Sequence, residues 1–286
     1  MNRHWWLWAT GSVTRLSIKM HVPLRSMLSA IAHKFVSAQH IAFAFPGCVH
    51  GRDLMGLEQL QRLTDIDLSA CGELGREVLE YVGQLRNLRC LHLRASLGGI
   101  TNSGWGRVGR LPSLTHLDLG RTRMTTNEFS ILGNMTSLTH LLLQESELLS
   151  DHSLELVGRL KLLRTLSISA SGEFSDAGLG HVGRLTDLKH SDASSRNRVT
   201  NNGMSQLLGL AALTYLGLSF CDVSDPGLRC VGRMTTLAWL DLTYTPVTDD
   251  SLASKSALTS LKWFKHTRLW TGHGLSLGVH RQIVGF

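Results

Sequence analysis

Leu114-Thr115-His116-Leu117-Asp118-Leu119-Gly120-Arg121-Thr122 puts leucine at the first, fourth and sixth places of a segment and a small hydroxyl side chain at the ninth. The same L-x-x-L-x-L arrangement starts again at Leu63, Leu88, Leu138, Leu163, Leu188, Leu213 and Leu237, with gaps of 24 to 26 residues throughout. A period this constant marks one supersecondary unit stacked on copies of itself. Within a unit, apolar and polar residues alternate over positions 4 to 6, which predicts a short strand with one buried face. Position 9 holds Cys71, Ser96, Thr122, Ser146, Ser171, Cys221 and Thr245, with Arg196 as the exception. Small hydrogen-bonding side chains suit a bend whose backbone groups must be satisfied inside a stack.

The second half of each unit predicts a helix. Val223-Ser224-Asp225-Pro226-Gly227-Leu228 offers Ser or Asp as N-cap and Pro at the first helical position, where its missing N–H costs nothing. Ser175-Asp176 and Thr248-Asp249-Asp250 repeat that chemistry, and Leu179, Val182 and Leu185, or Leu228, Val231 and Met234, then recur at helical spacing. Strand, bend and capped helix make one coil, and no coil buries its apolar face alone.

The full pattern, L-x-x-L-x-L-x-x-[CT]-x-[VI]-[TS]-D-x-x-L, resembles the leucine-rich repeat family over residues 63–250. In detail it is similar to the cysteine-containing subclass found beside F-box adaptors, with simpler units ending V-G-R-L. The resemblance implies an α/β leucine-rich-repeat solenoid, curved and right-handed, of about eleven coils. A parallel β-sheet would line its concave face and short helices its convex face. It also implies a non-catalytic protein–protein interaction scaffold without naming the partner, because one such fold serves many partners. The subclass implies one alternative, a substrate-recognition subunit of an SCF-type ubiquitin ligase, although no convincing F-box precedes the repeats.

Both ends extend the phase. Val13, Leu16 and Ile18, then Ala38, Ile41 and Phe43, fall at positions 1, 4 and 6 of two further units, with a helix expected over Pro23–Phe35 between them. Residues 1–62 are therefore read as degenerate N-terminal repeats or cap, 63–257 as the regular solenoid, and 258–286 as a last strand and C-terminal cap. In that last strand Leu258, Leu261 and Trp263 take positions 1, 4 and 6 at a shortened spacing. Residues 1–52 hold six Lys/Arg and no acid, the composition of a mitochondrial presequence as well as of a basic cap. Trp5-Trp6-Leu7-Trp8-Ala9 is too short for a secretory core. The localisation expected is intracellular and cytoplasmic, with a mitochondrial structural or assembly component, touching RNA or membrane through basic ends, as the alternative.

The net charge of +7 is unevenly spread: residues 251–286 hold five Lys/Arg and no acid, whereas the middle holds 18 against 22 Asp/Glu. Anionic surfaces would be drawn to the ends first. Arg110, Arg159, Arg184 and Arg233 stand four residues before four of the leucine frames, where Gln84, Asn134 and Gly209 stand in others, a stripe expected either as solvated edge or as a contact for an anionic partner. The five cysteines show no zinc spacing and fit a reducing compartment. Gly274-Leu275-Ser276-Leu277-Gly278 mimics a nucleophile elbow, but no acid follows Ser276, so no enzyme is expected. No cofactor, metal or small-molecule substrate is expected either. His116 and His140, with His92 and Asp118 nearby, raise a metal site only as a minor option beside exposed polar residues. The chain is expected as a monomer or as part of a larger complex.

Alternation sends positions 2, 3, 5, 7 and 8 to the open face of the strands, and positions 3, 5 and 8 read as columns. Toward the N-terminus these columns hold Asp65, Asp67, Ala70, Cys90, His92 and Ala95; toward the C-terminus they hold Tyr215, Phe220, Trp239, Tyr244 and, one repeat on, Phe264. An outward aromatic patch is where interface energy concentrates. These five residues are the expected partner-binding set, unless the C-terminal tail folds back over them.

Overall fold

The computed structural model describes residues 13–19, 34–44, 49–72, 74–75, 77–96, 102–194, 198–248, 261–266 and 279–282. The chain divides into two compact units, residues 1–123 and 124–286, built from the same coil. In the first, strands β1 (Arg15–Lys19), β2 (His40–Ala44), β3 (Asp65–Asp67), β4 (Cys90–His92) and β5 (His116–Asp118) pair in parallel, each with the next. The second carries β6 (His140–Leu142), β7 (Thr165–Ser167), β8 (His190–Asp192), β9 (Tyr215–Gly217), β10 (Trp239–Asp241) and β11 (Trp263–His266) in the same way. Strand β12 (Val279–Gln282) then pairs antiparallel with β11 and covers its edge.

The sequence phase is the hydrogen-bond register. Arg15 faces His40, His40 faces Asp65 and Asp65 faces Cys90, each step being one leucine period. Val13–Ile18 and Ala38–Phe43 therefore belong to the stack, with Ile18, Ala38, Ile41 and Phe43 buried. Positions 1, 4 and 6 form the core of the coils from β2 to β11, with Val13 and Leu16 of the first coil half-buried; Leu163, Leu166 and Ile168, for example, are fully buried. Even the weak unit keeps register: His190 faces Tyr215 although Ser191 stands where leucine is usual. Its buried hydroxyl has no hydrogen-bond partner among the described residues. The bend that follows, Ser195–Asn197, lies outside the described residues, as do most of the expected Pro23–Phe35 helix, Trp5–Ala9, Cys48, Asp249–Asp250 and Gly274–Gly278.

The bend has a second feature besides its position-9 side chain. Position 8 adopts the left-handed backbone in seven coils, at Ala70, Ala95, Arg121, Glu145, Ala170, Phe220 and Tyr244, with φ between 52° and 63°. None of these is glycine, so each costs a fraction of a kcal/mol up to about 2. Position 9 then helps lock the bend. The Ser96 and Ser171 hydroxyls donate to the position-6 carbonyls of the preceding coil, Leu68 and Leu143, at 2.6 and 2.8 Å, and the Cys71 thiol does the same toward Phe43 at 3.3 Å. The Thr122 and Thr245 hydroxyls instead reach the carbonyls of Leu119 and Leu242 in their own coils.

On the helix side of the second unit, from the helix Asp151–Val157 onward, the first residue of each described helix caps the entrance to the next coil's helix segment. The Asp151 carboxylate accepts from the backbone N–H and hydroxyl of Ser175, both at 2.7 Å, and from the N–H of Gly178 at 3.0 Å. Asp176 holds Thr200 in the same way, Asn201 holds Ser224 and Gly227, and Asp225 holds Thr248. The glycines are required by this close approach. A Cβ at Gly178 or Gly203 would stand 2.4 Å from the capping oxygen, and one at Gly227 2.6 Å. The N-cap of the Asp225–Val231 helix is Ser224, so Asp225 is its first residue and Pro226 its second; that position also lacks an intrahelical acceptor, so proline still costs nothing. No helix among the described residues is long and apolar enough to cross a membrane.

Candidate functional site

The strand face of the second unit carries one row of rings at position 3. Parallel register brings His190, Tyr215, Trp239 and Trp263 side by side on β8 to β11. Their ring centroids are separated by 3.9, 6.0 and 5.3 Å in turn, each pair stacked with interplanar angles of 14° to 27°. The inter-strand spacing of about 4.8 Å makes this stacking nearly automatic once aromatics occupy neighbouring coils. A second row sits at position 8, where the left-handed backbone turns Phe220 and Tyr244 toward one another with centroids 4.7 Å apart. Trp239, Trp263, Phe220 and Tyr244 keep 36 to 42% of their surface exposed. For large apolar side chains in adjoining coils that is an unusual concentration of uncovered surface.

Tyr215, Phe220, Trp239 and Tyr244 are thus brought together as their columns indicate. Phe264 is not. It is only 8% exposed and pairs with Leu240, a core position. The last coil is 24 residues on from Leu237, so Leu261, and not Leu258, takes position 1. Trp263 then points outward at position 3 and Phe264 inward at position 4. The C-terminal tail, where described, meets β11 edge to edge.

Position 5 runs beside the ring row as Asp192, Gly217, Asp241 and Lys265. The Asp241 carboxylate accepts from the Thr243 N–H and hydroxyl and lies 3.3 Å from the Lys265 ammonium. Burial opposes its ionisation, but these hydrogen bonds, one from the Ser219 hydroxyl and the lysine outweigh it, so its pKa falls below the ordinary value. Burial, reinforced by Asp192 and Asp241, pushes the Tyr215 phenol up to about 12, so it stays a neutral donor at physiological pH. Burial also lowers the pKa of His190, against the opposing pull of Asp192.

The other candidates lie elsewhere. Arg110, Arg159, Arg184 and Arg233 are exposed where the chain leaves the helices, and three of them directly follow the C-cap glycines Gly158, Gly183 and Gly232. Positive charge is favourable at a helix C-terminus on electrostatic grounds alone. Arg159 also pairs with Glu155 at 3.6 Å. The histidines are engaged locally: His116 and His140 each place Nδ1 2.8 Å from the hydroxyl of the preceding threonine. His92 lies 3.7 Å from Asp65, and Asp118 accepts the Gly120 N–H. Among the described residues no three metal-ligating side chains converge.

A family model for leucine-rich repeat regions matches residues 53–275. No curated protein matches the chain. Among solved structures, internalin C2 from Listeria monocytogenes superposes with a TM-score of 0.54 at 19% identity, over 77% of this chain and 84% of its own. The Arabidopsis receptor kinase HAESA, in complex with the peptide hormone IDA and the co-receptor SERK1, matches with a TM-score of 0.54 at 19% identity, over 81% of this chain and 38% of its own. A TDR receptor gives 0.57 at 17% identity, over 91% and 48%. The repeat register, the capped short helices and the matched family model agree, and the chain belongs to the leucine-rich repeat family.

Proposed function

We propose that this protein is a non-catalytic binding module whose strand face between β8 and β11 docks an extended segment of another protein. The observation carrying this reading is the ring row His190–Tyr215–Trp239–Trp263, exposed at its two tryptophans, beside the exposed pair Phe220–Tyr244. Tyrosine and tryptophan combine large contact area with few rotatable bonds, which is why they dominate the energetics of interfaces. The complex of HAESA with a peptide hormone supports the reading by analogy of fold. The ubiquitin-ligase and mitochondrial readings depend on upstream segments, much of them outside the described residues, and no described feature favours them.

The test is selection of a phage-displayed library of random dodecapeptides on the immobilised full chain. Enrichment is expected on the wild type and is lost in the Tyr215→Ala/Trp239→Ala double variant. His92→Ala, on the strand face of the first unit, leaves it intact. Thermal melts of all three chains establish that the variants fold. Enrichment that persists in a folded double variant removes the ring row as the site.

A further inference from the structure

Repetition lets one coil serve as the reference for its neighbour. Asp192 and Asp241 occupy the same position 5, and each accepts the backbone N–H two residues on, from Ser194 at 3.1 Å and from Thr243 at 2.9 Å. One coil further along, Asp241 faces Lys265, whose ammonium neutralises it at 3.3 Å. Asp192 faces Gly217 instead, which has no side chain to offer. No Lys or Arg nitrogen pairs with Asp192 among the described residues. The carboxylate leans over the glycine so closely that a Cβ there would stand 2.5 Å from its Oδ1. Among the described residues an unneutralised, half-buried carboxylate therefore lies beside the aromatic row, in the coil where glycine stands at the place that Lys265 fills for Asp241.

We propose, building on the docking face described above, that the bound segment carries a lysine or arginine whose cationic head pairs with Asp192 above Gly217. Lys265 on Asp241 is the internal precedent for that pair. The methylene stem of the guest lies along the Tyr215 and Trp239 rings, as long basic side chains do on apolar surface. Burial raises the pKa of Tyr215 first, and Asp192 and Asp241 raise it further, in a chain whose overall charge of +7 would by itself favour acidic partners. That opposition makes the preference diagnostic.

The experiment starts from the dodecapeptides selected on wild type. They are expected to be enriched in Lys or Arg. One fluorescein-labelled binder and its counterpart with arginine replaced by neutral citrulline are then titrated by anisotropy against wild type, Asp192→Asn and Asp192→Glu. Citrulline weakens binding to wild type by about tenfold, makes little difference on Asp192→Asn, and regains most of its penalty on Asp192→Glu. Asparagine still accepts the Ser194 N–H, so the fold is retained. Binders without basic residues, acidic binders, or equal citrulline penalties on wild type and Asp192→Asn overturn the inference while leaving the docking face standing. A library that yields no binder overturns both.

Discussion

The two units share a backbone and differ in what it displays. Position 3 of the first unit presents His40, Asp65, Cys90 and His116; the same position at the end of the second presents His190, Tyr215, Trp239 and Trp263. In the first, the Asp65 carboxylate sits 3.0 Å from His40 and 3.7 Å from His92, so polar groups of neighbouring coils face one another. In the second, the rings stack but leave much of their surface open. The helix sides differ as well. The chain of Asp151, Asp176, Asn201 and Asp225 caps belongs to the second unit, whereas the described helix Val78–Val82 starts at Glu77 with no side-chain cap bond. The strand face is thus free to vary because positions 1, 4 and 6 and the bend already hold the coil.

The largest expected difference between the units is at those caps. Asp176→Ala removes the acceptor of the Thr200 N–H and hydroxyl and should cost about 2–3 kcal/mol. Glu77→Ala, at the first unit's helix start that makes no side-chain cap bond, should stay within about 0.5 kcal/mol. Urea denaturation of both variants measures this, and equal losses would show that the ladder adds nothing special.

A smaller effect, common to both units, is expected from acid. His116 and His190 have pKa values lowered, chiefly by burial, from the ordinary 6.5. Below that pH the unfolded chain binds protons that the folded histidines resist, so stability falls as pH drops from 6.5 toward the depressed values and levels off beneath them. Melting temperatures recorded against pH should decline less steeply in His116→Gln and in His190→Gln than in wild type. A slope unchanged in either variant would acquit that histidine.

The smallest effect should erase the comparison altogether. Ala70 and Ala170 share the left-handed position-8 backbone, with φ of 54° and 52°. Glycine there relieves a strain that its own chain entropy partly offsets, so Ala70→Gly and Ala170→Gly should each stabilise by up to about 1 kcal/mol. Calorimetry that finds destabilisation in both would mean the bend is unstrained.

How much of this was legible in advance follows from what each residue signals by itself. Leucine at fixed spacing states its own position, and Val13 and Ala38 could be placed from it. The columns followed, which is why Tyr215 and Trp239 were found. Phe264 was misplaced because Leu258 and Leu261 both fit L-x-x-L, and only strand pairing with β10 chooses between them. Trp263 was missed for the same reason. The cap ladder was invisible because Asp176 looks like any helix-start acid; only the register carries it to Thr200. Its trace was the recurrence of Ser/Thr-Asp/Asn-x-Gly/Ser at one period, as in Ser150–Ser153, Ser175–Gly178, Thr200–Gly203 and Ser224–Gly227. The left-handed column had no trace at all, since alanine, arginine, glutamate, phenylalanine and tyrosine do not advertise that backbone.

The cap ladder also has a direction. Asp151 serves Ser175, Asp176 serves Thr200, Asn201 serves Ser224 and Asp225 serves Thr248, always from one coil to the coil after it. Losing a coil therefore has unequal consequences on its two sides. The coil before it keeps its own cap intact, while the coil after it is left with an orphaned helix entrance. Damage in this unit should spread toward β11 and spare what lies upstream, so that the aromatic row stands at the dependent end of a one-way chain of support.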